Sequence, residues 1–157
     1  MASTITASAL KVTITESITL GGVDRGSTFA KTITGVSKVY NEIISVGTSD
    51  QLITTFAASK AGGTFVASSE SGTKMQYMRI TNLDDTNYVY LLLGETAGTA
   101  QYNQYKLEAG KSFVLCATDV TNRTTNASTA AFAQHLDTIR AKADTAACDI
   151  EIYIASA

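Results

Sequence analysis

The 157-residue chain carries twelve basic against fourteen acidic residues, a net charge of −2, and no run of like charges. That balance excludes the concentrated basic stripe with which nucleic-acid binders displace counterions, and the polybasic segment that holds a protein to an anionic membrane surface. No apolar run approaches the ~20 residues needed to span a bilayer. The opening MASTITASALKV has neither a basic n-region nor a continuous apolar h-region, so no secretory signal is expected and synthesis is expected in a cytosol. The length suits one domain, residues 1–157, with a real core. Proline and tryptophan are absent, and Thr, Ser, Ala and Gly are abundant; such a chain suits pleated strands joined by Gly, Asn and Asp turns.

From Leu10 to Leu20, the apolar Leu10, Val12, Ile14, Ile18 and Leu20 share one parity and Lys11, Thr13, Thr15, Ser17 and Thr19 the other. A period of two over that length predicts a half-buried strand, or two strands bent near Glu16, with the apolar side on the core. Gly21-Gly22 and Asp24-Arg25-Gly26 supply turn chemistry. Thr28 to Thr34 is a second strand with Phe29, Lys31 and Ile33 on one side. Val39 to Val46 is a third, mixed on both parities, and Leu52, Thr54 and Phe56 continue as a fourth. Gly62-Gly63 breaks the chain before TFVAS at 64–68, an edge-strand candidate.

In the middle, Lys74 to Thr81 and Tyr88 to Leu93 flank the polar NLDDTN, which predicts a hairpin because Asn and Asp side chains bond their own backbone and tolerate αL. The near-continuous apolar run from Tyr88 to Leu93 predicts a strand covered on both faces. After a loop at Gly94 to Ala100, Gln101 to Leu107 and Ser112 to Ala117 flank Glu108-Ala109-Gly110-Lys111, a second predicted hairpin. Thr118 to Ala130 reads as a long exposed loop. Beyond it, Phe132, Leu136, Ile139 and Ala143 have helical spacing, yet Ile139, Ala141 and Ala143 also alternate with Arg140 and Lys142. The favoured reading is at most one short helix near 128–135, followed by a strand at 136–143. The chain closes on Ile150, Ile152 and Ile154, alternating with Asp149, Glu151 and Tyr153. About nine or ten short strands separated by turns predict an all-β fold, a single antiparallel β-sandwich or jelly roll.

Catalytic and metal-binding candidates are few. His135 is the single histidine, the two cysteines are not spaced as a zinc-ligand pair, and no G-x-S-x-G elbow occurs. The simple reading of His135 is a surface or satisfied structural residue. Asp84 and Asp85 have the oxygen chemistry calcium uses, without the EF-hand spacing, and turn formation already accounts for them. Asn122-Arg-Thr and Asn126-Ala-Ser match the glycosylation acceptor pattern, which without a secretory signal signifies only a Thr/Ser-rich loop. Cys116 and Cys148 both sit in apolar contexts and read as buried free thiols, with a disulfide between them as the lesser alternative. Seven tyrosines are present; core or cross-strand packing is their default role, and a contact surface the other. The candidate interface residues are Tyr77, Tyr88, Tyr90 and Tyr102, with Glu151 on the outward parity of the last strand. No catalytic residue, cofactor, metal or small-molecule substrate is called for.

The stretches SALKVTITESITLGGVDRG, YMRITNLDDTNYVYLLLG, YKLEAGKSFVL and CDIEIYIAS together resemble the small β-sandwich accessory proteins of tailed-bacteriophage virions: capsid decoration proteins, neck and tail components and fibre-associated jelly rolls. The resemblance spans most of the chain, in style rather than by a diagnostic motif. It implies a non-enzymatic structural protein, present in many copies of itself and contacting other virion proteins such as a major capsid or tail protein. It implies location in the virion after assembly in a host cytoplasm. A β-sandwich carbohydrate-binding module is the alternative of another class; its hallmark is an exposed aromatic platform.

Overall fold

A computed structural model describes residues 6–56, 75–95, 101–116, 121–122, 134–135 and 138–156. The body consists of two four-stranded antiparallel sheets. One contains β5 (Lys38–Val46), β7 (Met75–Asn82), β10 (Ser112–Leu115) and β14 (Cys148–Ser156), in the order β10-β7-β14-β5. The other contains β6 (Gln51–Thr55), β8 (Val89–Glu95), β9 (Gln101–Leu107) and β13 (Thr138–Ala143), in the order β6-β13-β8-β9. Period-two alternation explains why they face each other. Ile150, Ile152 and Ile154 of β14, Met78 and Ile80 of β7, Val89, Leu91 and Leu93 of β8, and Ile139, Ala141 and Ala143 of β13 all point into one buried core. The closing strand keeps its predicted register: Ile152 stands opposite Ile80, and Ile154 opposite Met78.

Following the chain, each step from β5 to β8 crosses from one sheet to the other. Within these two sheets, β8 and β9 are the one pair of neighbours that follow each other in the chain. The crossing then resumes through β10, β13 and β14, with the late strands β13 and β14 inserted between early ones. This is jelly-roll winding, in which two sheets close over a shared core.

Two predicted hairpins are corrected by this topology. NLDDTN joins β7 to β8, and Glu108-Ala109-Gly110-Lys111 joins β9 to β10, but each loop links strands of different sheets. The loops reverse the chain as their chemistry requires, and hydrophobic faces then meet across the core instead of edges pairing. Asn82 holds this end together. It is fully buried, and its Nδ2 donates to the Asn87 and Leu107 carbonyls at 2.8 and 3.2 Å. Its Oδ1 accepts from the Asp84 amide at 3.0 Å.

The apolar run of β8 packs on the core through one face. Tyr90 and Leu92, on the other, are half-buried beside the side chains of neighbouring strands. No helix occurs among the described residues. Of the 128–135 segment where a helix was expected, Gln134–His135 instead form a short strand, β12, paired with β11 (Thr121–Asn122), and 128–133 lie outside the described residues. TFVAS at 64–68 and most of the Thr118–Ala130 loop also lie outside them.

The N-terminal strands form a separate ribbon. β1 (Ser8–Glu16) pairs antiparallel with β4 (Ser27–Val36), and a small tip pairs β2 (Thr19–Leu20) with β3 (Val23–Asp24). Gly21 and Gly22 turn the tip with φ of 60° and 78°, the left-handed pair that tight hairpins use. Gly26 must be glycine for another reason: a Cβ there would stand 2.3 Å from the Glu16 carbonyl oxygen.

Candidate functional site

At its base the ribbon covers part of the outer face of the β10-β7-β14-β5 sheet. Ile33 and Val36 of β4, with Leu10 and Val12 of β1, pack on Tyr77, Tyr153 and Ala155 in a second, smaller apolar cluster. Tyr77 is only 8% exposed and meets Tyr153 edge to face, with centroids 6.0 Å apart. Burial pushes the Tyr77 hydroxyl pKa up. Between ribbon and sheet lies an open cleft of about 270 Å³, lined by Leu10 to Thr13 and by Tyr77, Arg79 and Tyr153. The Arg79 guanidinium at its wall is held by Glu151 at 2.6 Å and by the Thr81 hydroxyl at 2.6 Å.

Beyond the base, the ribbon's apolar side loses its cover. From Thr13 to Thr32 every residue except Gly26 is exposed. Ile14 is 45% exposed, Ile18 54%, Leu20 67%, Val23 51% and Phe29 59%. The expectation that the whole Leu10–Leu20 stripe lies on the core is therefore corrected. Leu10 and Val12 are half-buried, while Ile14, Ile18 and Leu20 face outward. Alternation reports that a strand has an apolar side; it does not report what body lies against that side.

The sequence-predicted interface residues fall in two places. Tyr77 and Glu151 share the outer face of the sheet under the ribbon. Tyr88 and Tyr90 lie at the other sheet, half-buried and edge to face at 5.0 Å, with the Lys106 ammonium 4.0 Å from the Tyr88 ring centre. Hydrogen bonds with Tyr90 and then Asp144 push the Tyr88 hydroxyl pKa upward. Tyr102 stands opposite Gly94 in the β8–β9 register, and its side chain lies outside the described residues. The fold thus brings Tyr88 and Tyr90 together, and Tyr77 and Glu151 onto one face, without joining the two groups. What the sequence reading missed is the ribbon's outward set, Ile14, Ile18, Leu20, Val23 and Phe29. The available signal was two matched alternating runs about a Gly-Gly turn.

The cysteines separate. Both are free; Cys148 is buried and Cys116 exposed, which corrects the expectation of two buried thiols. The reason is parity: Phe113 and Leu115 pack against the core, whereas Cys116 shares the outward parity of Val114. Burial first, then the nearby Asp84 charge, pushes the Cys148 thiol pKa up. Asp84 spends its carboxylate on the turn, accepting from the Thr86 and Asn87 amides at 2.8 and 2.6 Å. Those two backbone bonds hold its pKa below the ordinary carboxylate value. Among the described residues no group of three or more His, Cys, Asp or Glu side chains gathers to hold a metal.

Comparison with protein-family models, with curated proteins and with solved structures found no match.

Proposed function

We propose that this chain is a non-enzymatic, multi-copy structural subunit of a tailed-bacteriophage virion, in the first place a capsid decoration protein, acting through protein–protein contacts. The observation that carries the reading is the ribbon. A two-stranded hairpin is marginal in water unless something packs on its apolar face, and here Ile14, Phe29, Leu20 and Val23 are left exposed on it. An element of this shape extends a subunit's reach to a neighbour. Jelly rolls occur in viral capsid and lectin domains alike, so it is the ribbon and not the winding that carries the reading. The tyrosines do not favour the carbohydrate-binding alternative: Tyr77 lies beneath the ribbon, and Tyr88 and Tyr90 are half-buried against each other.

Sedimentation of the purified protein, alone and mixed with intact particles of the phage that encodes it, tests the reading. The expected result is a homo-oligomer, or co-sedimentation with the particle. A strict monomer that binds no particle overturns it. Electron microscopy of the bound copies then separates decoration, seen as a lattice on the shell, from a tail or neck component, seen as rings about an axis.

A further inference from the structure

Of the four strands at the edges of the two sheets, β5 offers a further strand the most. β10 has four residues, β6 has five with a break in its register against β13, and β9 has seven that expose Asn103, Gln104 and Lys106. Short, irregular or polar edges of this kind resist added strands. β5 has nine residues in unbroken register with β14 and no described strand on its other side. Its outer face exposes two aliphatic side chains, Val39 at 55% and Ile43 at 62%. Two hydrogen bonds fix which way its peptide groups point. The Leu83 amide, just past β7, donates to the Asp149 carbonyl at 2.8 Å, so Asp149 turns its peptide groups away from β5. Its partner Ser45 must then turn its own outward. It does: the Ser45 carbonyl accepts from the Gln51 side-chain amide at 3.5 Å. Peptide direction alternates along a strand, so Val39, Asn41 and Ile43 also aim theirs at the open edge. Gln51, which also accepts from the Gly47 amide at 3.4 Å, occupies the edge at Ser45, and the chain departs for the ribbon before Lys38. The usable stretch is therefore Val39 to Ile43.

We propose, resting on the multi-copy reading above, that the occupant of this edge is β5 of a second copy, paired antiparallel about a twofold axis at Asn41. That axis uses all three outward-pointing residues. It sets Asn41 opposite Asn41 of the partner subunit and Val39 opposite the partner's Ile43, each pair exchanging both backbone hydrogen bonds. The contact is isologous, and it joins two sheets into one with the exposed aliphatic side chains meeting on the outer face. Neighbouring registers fit less well. An axis at Glu42 sets the two Glu42 carboxylates opposite each other and brings Val39 onto Ser45, where Gln51 sits. An axis at Tyr40 sets Val39 against Asn41 and Ile43 against Ser37, which lies beyond the strand. The ribbon leaves this margin open: Val39 and Ile43 stand beside Ala155 and Glu151 in the register, yet both remain more than half exposed.

The test is sedimentation equilibrium of the full chain as wild type, Asn41→Pro, Ile43→Lys, and Ile43→Lys combined with Val39→Glu. The wild type is expected to self-associate. Asn41→Pro removes an N–H that points away from β14, so melting should shift little while self-association weakens at least about tenfold. Ile43→Lys should weaken it about tenfold by setting a charge on the partner's Val39, and adding Val39→Glu should restore it, because each introduced lysine then faces an introduced glutamate. Within one strand the two introduced side chains lie about 13 Å apart, so the recovery reports pairing between copies. If melting shows Asn41→Pro unfolded, the charge series decides alone. Self-association unchanged in a folded Asn41→Pro or in Ile43→Lys overturns the β5 edge as the contact and leaves the multi-copy reading standing. A loss in Ile43→Lys that the double variant does not recover overturns the axis at Asn41. A wild type that is monomeric alone yet co-sediments with the particle overturns the β5 pairing only, and one that does neither overturns both.

Discussion

Replacing Asn82 with Ala should destabilise the jelly roll more than any exposed-loop substitution, because this buried side chain joins three segments. Its amide donates to the Asn87 and Leu107 carbonyls and accepts from the Asp84 N–H, which ties the end of β7 to the β7–β8 crossover and to the end of β9. The bond to Leu107 is fully buried, and the other two are partly buried. Truncation removes a fully buried bond to the Leu107 carbonyl, and losing one partner of a buried hydrogen bond costs about 1–3 kcal/mol. The other two groups regain water in part, so the total loss is expected at about 2–4 kcal/mol. Asn82→Asp should be worse than Ala: it keeps the acceptor but sets a charge against two carbonyl oxygens in a buried site. Urea denaturation followed by tyrosine fluorescence or far-ultraviolet circular dichroism reads the effect. With a slope of about 2 kcal/mol per molar, the Ala midpoint should fall by about 1–2 M. A loss under about 0.5 kcal/mol would place Asn82→Ala among ordinary surface changes and refute the claim that this amide holds the crossovers.

Ile152→Asp should unfold the sandwich or cost several kcal/mol, since the side chain is fully buried opposite Ile80. Glu151→Lys, one residue away on the outer face, breaks the 2.6 Å pair with the partly exposed Arg79; thermal melting should show a loss of no more than about 1 kcal/mol. With a thiol reagent under native conditions, Cys116 should label rapidly. Cys148 should label only as the protein opens, because burial both hides the sulfur and disfavours the thiolate that reacts. Equal rates at the two positions would contradict the inward parity of Cys148.

Local chemistry alone determined a good deal about this chain. Period-two alternation identified β14 with its inward Ile150, Ile152 and Ile154, paired Phe29 with Lys31 and Ile33 on one side of β4, and placed turns at Gly21-Gly22, NLDDTN and Glu108–Lys111. These are readable because side-chain direction in a strand and backbone reversal in a turn depend on neighbours within a few residues. Other features were decided by the tertiary structure. Whether the strands flanking NLDDTN pair edge to edge or face each other across the core is invisible in the loop, since both arrangements reverse the chain with the same residues. It depends on β13 and β14, which arrive later and occupy the positions beside β8 and β7. Likewise the stripe of Leu10, Val12 and Ile14 is uniform in sequence, yet its base packs on Tyr77 and Ala155 while its outer part meets no described apolar cluster. Burial is a relation between two surfaces, and a pattern on one strand specifies only one of them.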